Sequence, residues 1–160
     1  MKIGISGHQQ RKGINWGWVE DTLDFELAGR HVDAVYSSLA IGSDQIFTSV
    51  ALRHALPVVG VIPFPGYERT FKDFQKKRYF ELRDACKEVI VLDWPGNDET
   101  AFLNAGKWIV SATDLLFAVW DGKQAEGIGG TADIVKFACE RGNPVLHINP
   151  IDKFVRLLST

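Results

Sequence analysis

Short apolar runs alternate along this chain with longer segments in which apolar residues recur every three or four positions. The runs cover residues 2–6, 34–37, 58–62, 88–92, 115–120 and 144–149. Several of them are apolar throughout rather than at every second position, which is typical of strands covered by helices on both faces. The pattern therefore predicts about six strands of a mostly parallel sheet.

The segments between these runs have helical periodicity, and several begin or end at a recognisable signal. Asn15 is a candidate N-cap of the first helix, Pro57 follows the second, and Asn97 or Asp98 can cap the fourth. The predicted helices cover residues 16–29, 43–56, 70–85, a segment from 98 onwards and 131–141. Because parallel strands need crossover connections, the alternation predicts an α/β fold, a three-layer sandwich, in a single domain over residues 1–160.

Composition narrows the classes of function. The 160 residues are 46% hydrophobic and 24% charged, with a formal net charge of −2, so the chain has no overall basic field. We therefore expect a small-molecule partner and no extended nucleic acid. The two cysteines, Cys86 and Cys139, lie in helical segments without a zinc-type spacing, and we expect free thiols and no metal. No signal-peptide core or membrane-length run occurs, so we expect a cytoplasmic protein without membrane contact.

The loops that follow the strands carry most of the unusual residues. In a parallel sheet these loops all leave from the carboxyl edge, where ligands bind. Most glycines outside the strands fall in them, whereas the connections from helix to strand are short. The five loops read GHQQRKGIN, SLAIGSD, PFPGYER, DWPGND and DGKQAEGIGG. This asymmetry predicts a functional carboxyl edge.

The last of these loops runs directly into the fifth helix. Glycines let backbone N–H groups approach an anion, and a helix that begins at Thr131 adds unpaired N–H donors and the positive end of its dipole. Gly129, Gly130 and Thr131 are therefore a candidate cradle for a phosphate or carboxylate. A plain N-cap after a flexible entry loop accounts for the same residues, and both interpretations stay open.

A similar junction precedes the second helix, at Gly42, Ser43 and Asp44. Ser43 or Asp44 can serve simply as the helix cap. Alternatively, the backbone of Gly42 and Ser43 contacts a ligand while Asp44 binds a sugar hydroxyl. A carboxylate would repel a phosphate, so the sugar is the better partner for Asp44.

Other residues of the edge loops are candidate ligand contacts, each with a plainer alternative. Asp121 can face ribose hydroxyls or form an Asp-Gly turn, and Arg11 can fork onto a phosphate or lie on the surface. Tyr67 can stack on a base or contact a second subunit, and Trp120 can stack on a base or belong to the core. The candidates next to the first strand are Gly7, His8 and Arg11.

The usual nucleotide fingerprints are missing. Gly4 and Gly7 lack the spacing of the dinucleotide motif, and the chain contains no G-K-[ST] sequence of a P-loop. NAD binding of the usual kind is therefore disfavoured, and we expect no cofactor.

Four segments, GISGH, LAIGSDQIF, VIPFPGYERTF and VWDGKQAEGIGGTADIV, resemble the SLOG superfamily. This Rossmann-like group includes the cytokinin-activating phosphoribohydrolases, DprA-type proteins and sensors of nucleotide signals. The resemblance implies that a nucleotide or nucleotide-derived ligand binds at the carboxyl edge, for sensing or processing. It also implies a homo-oligomer, often a homodimer.

The catalytic motif of the phosphoribohydrolases is only partly matched. Their P-G-G-x-G-T-x-x-E holds phosphate with its glycines and threonine and uses its glutamate in catalysis. Gly130 and Thr131 match, but Ile134 takes the place of the glutamate, and Asp133 points about 100° away on a helix. Nucleoside deoxyribosyltransferases show a looser similarity with the same mismatch. A hydrolase or transferase of N-glycosidic bonds would need Asp121, Glu126 or Asp133 as its carboxylate; a protein-interaction scaffold is the remaining alternative.

Overall fold

The computed structural model describes residues 1–124 and 130–158. These residues form one sheet and five α-helices, with a short 3-10 turn at Tyr67–Thr70. The strands are β1 (Lys2–Gly7), β2 (Ala34–Ser37), β3 (Val58–Ile62), β4 (Glu88–Val91), β5 (Leu115–Val119), β6 (Val145–Asn149) and β7 (Phe154–Leu158). The helices are α1 (Trp16–Ala28), α2 (Ser43–Arg53), α3 (Asp73–Ala85), α4 (Asp98–Ala112) and α5 (Thr131–Glu140).

The strands lie in the order β4-β3-β2-β1-β5-β6-β7, and all neighbours are parallel except β6 and β7. From β1 the chain builds the sheet outward through β2, β3 and β4, and then returns to add β5 and β6 on the other side. The loops after β1 and β5 therefore diverge at the carboxyl edge, which opens a crevice between them. The predicted three-layer α/β fold is confirmed.

Helices cover both faces of the sheet. On one face, α1 and α2 pack against the sheet core through a cluster that includes Leu23, Phe47 and Phe117. On the other face, α4 and α5 pack through a second cluster that includes Val110 and Ile134. Every residue of β3, β5 and β6 is buried, which explains why these strands are apolar throughout.

Several element ends follow the predicted signals. The Asn15 side chain accepts a hydrogen bond from the N–H of Trp18 at the start of α1, and the Asn97 side chain accepts one from Thr100 at the start of α4. Helix α3 begins at Asp73 rather than at residue 70, because the 3-10 turn occupies the preceding residues. Within residues 1–124 and 130–158, no helix combines the length and the apolar composition that a membrane crossing requires.

The sequence analysis missed β7. The Asn149 side chain accepts hydrogen bonds from the N–H groups of Ile151 and Asp152, which closes a tight turn, and the chain then runs back antiparallel to β6. Arg156 and Leu157 are exposed on this edge strand, so it lacks the continuous apolar run that identified the other strands. The sheet therefore has seven strands in the described residues rather than about six.

The start of α2 is pressed against the loop after β1. Gly42 has a φ of 85°, and a Cβ at this position would lie 2.5 Å from the carbonyl oxygen of Gln9 and 2.8 Å from that of His8. The N–H and the hydroxyl of Ser43 both donate to the His8 carbonyl, at 3.2 and 2.7 Å. This contact holds the two loops together at the carboxyl edge.

We expect Gly42→Ala to lower the free energy of unfolding by about 2 to 4 kcal/mol, because a collision with backbone oxygens adds to the strain of a left-handed residue. Gly142→Ala is a matched control: its φ is 75°, but no atom lies within 4 Å of the added methyl. The control meets the backbone strain alone and should lose about 1 to 2 kcal/mol. Denaturant unfolding measures both, and equal losses would show that the two loops are not in tight contact.

Candidate functional site

A cavity of about 260 Å³ opens at the carboxyl edge where the loops after β1 and β5 diverge. The loop after β1, the first turn of α2, the 3-10 turn, the body of α4 and the start of α5 form its wall. Seven of the predicted site residues line it: Gly7, His8, Arg11, Asp44, Tyr67, Gly130 and Thr131. The structure thus brings most of the predicted ligand contacts to one place.

The start of α5 contributes unpaired donors to this cavity. The N–H groups of Asp133 and Ile134 donate to the Gly130 carbonyl, whereas those of Thr131 and Ala132 have no partner among the described residues. Thr131 is only 7% exposed, and its hydroxyl also makes no hydrogen bond with any residue that the structure describes. Gly129, the remaining member of the predicted cradle, lies outside the described residues.

Ile134 lines the cavity one turn further along α5. A Cβ on Gly106 of α4 would lie 2.4 Å from the Ile134 Cδ1 atom, so the absence of a side chain at residue 106 lets the two helices approach closely. This part of the wall is apolar at the position where the phosphoribohydrolase motif has its glutamate.

His8, Arg11 and Asp121 form a charged cluster that joins the loop after β1 to the end of β5. The Asp121 N–H donates to His8 Nε2 at 3.1 Å, and the Asp121 carboxylate lies 3.3 Å from His8 Nε2 and 3.4 Å from Arg11 Nη1. Its Oδ1 atom also accepts from the N–H of Lys123 at 3.0 Å. The Asp121 side chain is only 3% exposed, so these protein groups occupy the carboxylate.

The cluster fixes the protonation of its members. Burial lowers the pKa of His8, and the nearby Arg11 lowers it further, although Asp121 opposes both. Burial alone would raise the pKa of Asp121, but the Lys123 N–H, His8 and Arg11 together hold it below the usual value. Asp121 is therefore ionised and bridges two loops.

Asp44 is the one carboxylate among the described residues that line the cavity. It is 7% exposed, and burial raises its pKa to about 7 against the opposing effect of the Ala40 and Ser38 amides. The Ala40 N–H donates to its Oδ2 atom at 3.4 Å. No cationic side chain of the described residues pairs with it.

Aromatic side chains form the wall beside Asp44. Tyr67 lies at the centre of a ring cluster, with its centroid 6.1 Å from that of Phe102 and 5.2 Å from that of Phe71. Burial, and then the charge of Asp44, raise the pKa of Tyr67 well above its usual value, so its hydroxyl stays protonated. A second cavity of about 400 Å³ adjoins the first here and shares its glutamines, Gln9 and Gln10.

The remaining predicted residues lie elsewhere. Gly42 lines a separate cavity between the loop after β1, α1 and α2, and Ser43 is fully buried beneath the His8 carbonyl.

Trp120 packs against the His147 ring and donates to the Lys123 carbonyl. Asp133 lies on the outer side of α5 in a depression shared with Lys136. Glu126 lies outside the described residues. Direct ligand roles for these residues remain predictions.

Sequence reasoning missed several residues of the wall. Phe102, Gly106 and Ile109 line the cavity from one face of α4, at intervals of four and three residues. Their helical spacing is visible in the sequence, but it reads equally well as contact with the core. That this face of α4 reaches the crevice is visible only in the structure, in which α4 packs against both β1 and α5.

Comparison with known proteins gives matches in structure only. No family model and no curated protein matches the chain. DprA from Streptococcus pneumoniae matches with a TM-score of 0.67 and 17% identity over 92% of this chain and 50% of that one. DprA from Helicobacter pylori matches with a TM-score of 0.63 and 17% identity, over 93% of this chain and 65% of that one. The molybdenum cofactor carrier protein from Chlamydomonas reinhardtii matches with a TM-score of 0.55 and 19% identity, over 91% of this chain and 74% of that one. The chain thus spans about half to two thirds of the DprA structures.

One expectation from composition is wrong. Net charge was taken to exclude extended nucleic acid, yet DprA from Helicobacter pylori, which has this fold, binds single-stranded DNA. Net charge averages over the whole surface, whereas a nucleic-acid strand is held by local groups. The Rossmann-like fold that the resemblance implied is confirmed: the chain shares it with DprA, with TM1055 and with the molybdenum cofactor carrier proteins.

Proposed function

We propose that this chain binds a nucleotide or nucleotide-derived ligand in the crevice between the loops after β1 and β5, with a phosphate group at the start of α5. The observation that carries the proposal is the start of α5 on the cavity wall, where the Thr131 hydroxyl and the N–H groups of Thr131 and Ala132 have no hydrogen-bond partner among the described residues. An anion bound there can accept from all three donors.

The charges around the start of α5 favour the same ligand. Helix N-termini attract anions through their free N–H groups and the helix dipole. The guanidinium of Arg11 and the ring of His8 line the same cavity. These groups suit a phosphate better than a neutral ligand.

The aromatic part of the wall suits a flat heterocycle. Tyr67 and Phe102 present aromatic surface to both adjoining cavities, and aromatic rings stack on bases whatever their sequence. The two cavities, of about 260 and 400 Å³, together exceed what a phosphate alone needs and fall in the range of small-molecule sites. The molybdenum cofactor carrier proteins, which share the fold, support a small-molecule ligand.

Binding fits the wall better than hydrolysis of an N-glycosidic bond. Such a reaction needs a carboxylate next to the ribose. Of the carboxylates for which the sequence predicts catalysis, neither Asp121 nor Asp133 is part of the cavity wall, and Ile134 occupies the position of the family glutamate. Asp44, the carboxylate that does line the cavity, lies on α2, and we assign it to binding rather than to catalysis. The chain therefore serves to hold its ligand, for sensing or for delivery to a later processing step.

Thr131→Val removes one donor and keeps the shape of the side chain. We expect it to weaken the binding of nucleoside 5′-monophosphates by about 10- to 100-fold, because a hydrogen bond to a charged group contributes about 1.5 to 3 kcal/mol. Isothermal titration calorimetry measures the loss. Thr22→Val on α1 is the matched control and should bind like the wild type. If both variants bind with equal affinity, the phosphate does not bind at Thr131. If the wild type binds none of the nucleotides, the protein-interaction scaffold is favoured.

Incubation with nucleoside monophosphates tests the enzymatic alternative. We expect no release of free base above the rate without protein, since the described wall holds no carboxylate at the family position. Chromatography of the incubated mixture measures the base directly. Release that depends on the protein would show that the chain is a hydrolase, and loss of that release in Asp44→Asn would identify its carboxylate.

A further inference from the structure

Asp44 is a buried acidic residue whose side chain accepts from backbone amides of the loop before α2. It lies in the first turn of α2, where an acidic residue usually stays at the surface and interacts with the helix dipole. Here the N-cap is Gly42 and no side-chain cap is made, so Asp44 does not hold the helix start. A buried carboxylate without a cation is unfavourable for folding and marks candidate functional sites.

The surrounding backbone is arranged around this carboxylate. Leu39 has a φ of 58°, a left-handed conformation that is strained for a branched side chain. It stands between Ser38 and Ala40, the two residues whose amides oppose the rise in the pKa of Asp44. The Thr48 hydroxyl donates to the Asp44 carbonyl at 2.8 Å and fixes the main chain from the other side.

The carboxylate has hydrogen-bonding capacity left. An ionised carboxylate offers about four acceptor sites. Among the described residues it receives only backbone amides, and the Ala40 contact is long at 3.4 Å. Ser38, Pro63, Tyr67 and Phe102 line the same cavity and carry no positive charge. The carboxylate of Asp44 can therefore accept further hydrogen bonds from a molecule bound in the cavity.

We propose that Asp44 determines which ligands the crevice accepts: its carboxylate receives two hydrogen bonds from a pair of adjacent donors on the ligand. This proposal rests on the proposed function and adds the chemical class of the ligand. Two parts of a nucleotide carry such a pair, the 2′,3′-diol of a ribose and the ring N–H with exocyclic amino group of guanine. The apolar and aromatic surroundings strengthen these bonds, because the local dielectric constant is low.

The separation of charge in the crevice fits such a ligand. The unpaired donors lie at the start of α5, and Arg11 lines the same cavity beside Asp121, while Asp44 lies near Tyr67. A nucleotide has its negative charge at one end and its hydroxyl and N–H donors at the other. A bound nucleotide can therefore satisfy both ends only in one orientation, which gives the site its selectivity.

The stability of the ligand-free protein gives a first test of the buried carboxylate. Because the pKa of Asp44 is raised to about 7, the folded protein binds this proton more tightly than the unfolded chain, and wild-type stability falls as the pH rises from 4 towards 7. Tyr67, the titratable neighbour, stays protonated over this range. We expect Asp44→Asn to melt at a higher temperature than the wild type at pH 8, with a smaller difference at pH 5. Asp21→Asn, at an exposed site on α1, should show no such change.

Nucleotide titrations test the specificity. Calorimetry at pH 8 compares the wild type, Asp44→Asn and the charge-matched control Asp21→Asn with the 5′-monophosphates of guanosine, inosine and 2′-deoxyguanosine. We expect Asp44→Asn to weaken the best of these ligands by about 10- to 100-fold, and the control to leave it unchanged. If the wild type binds 2′-deoxyguanosine monophosphate more weakly than guanosine monophosphate, the partner of Asp44 is the ribose diol. If it binds inosine monophosphate more weakly than guanosine monophosphate, the partner is the ring N–H and amino group of guanine.

The outcomes separate this proposal from the proposed function. If the wild type binds the nucleotides and Asp44→Asn binds them equally well, the assignment to Asp44 is wrong while the crevice remains a nucleotide site. If all three nucleotides bind the wild type with the same affinity, the paired donors are not recognised and the assignment is again wrong. If the wild type binds none of them, the proposed function fails, and this inference fails with it.

Discussion

The architecture of the crevice depends on the attachment of His8 to both of its sides. The His8 carbonyl accepts the N–H and hydroxyl of Ser43 at the start of α2, and its ring accepts the N–H of Asp121 at the end of β5. His8, in the loop after β1, thus ties that loop to the start of α2 on one side and to the loop after β5 on the other. Because the loops are held at fixed positions, the free donors of α5 and the carboxylate of Asp44 line a single cavity.

The two acidic residues of this region have opposite environments. Asp121 is surrounded by donors and a guanidinium, so it stays ionised and all its acceptor sites face the protein. Asp44 has backbone amides alone, and burial raises its pKa to about 7. Surrounding groups, and not residue type, therefore decide which carboxylate is structural and which is available to a ligand.

The sequence was sufficient for the fold and for the edge that carries the site. Strands such as β3 and β5 are buried on both faces and therefore apolar throughout, and Asn15 and Asn97 cap their helices as expected. Exposed β7 lacked that apolar signal. The sequence also could not show that Asp121 would be used by His8 and Arg11, since those contacts join residues more than a hundred positions apart. Long-range pairing decides such roles, and spacing along the chain does not encode it.

The likeness to DprA and to the molybdenum cofactor carriers concerns the backbone, at 16–19% identity. A Rossmann-like sheet places loops and helix N-termini at one edge in all these proteins, but the ligand is chosen by the side chains that line it. In this chain an isoleucine stands at the position of the catalytic glutamate, and the carboxylate of the wall comes from α2 instead. The acidic group of the wall therefore belongs to a different element from the helix that carries the matched motif. That difference, and not only the loss of one residue, distinguishes this cavity from the motif it resembles.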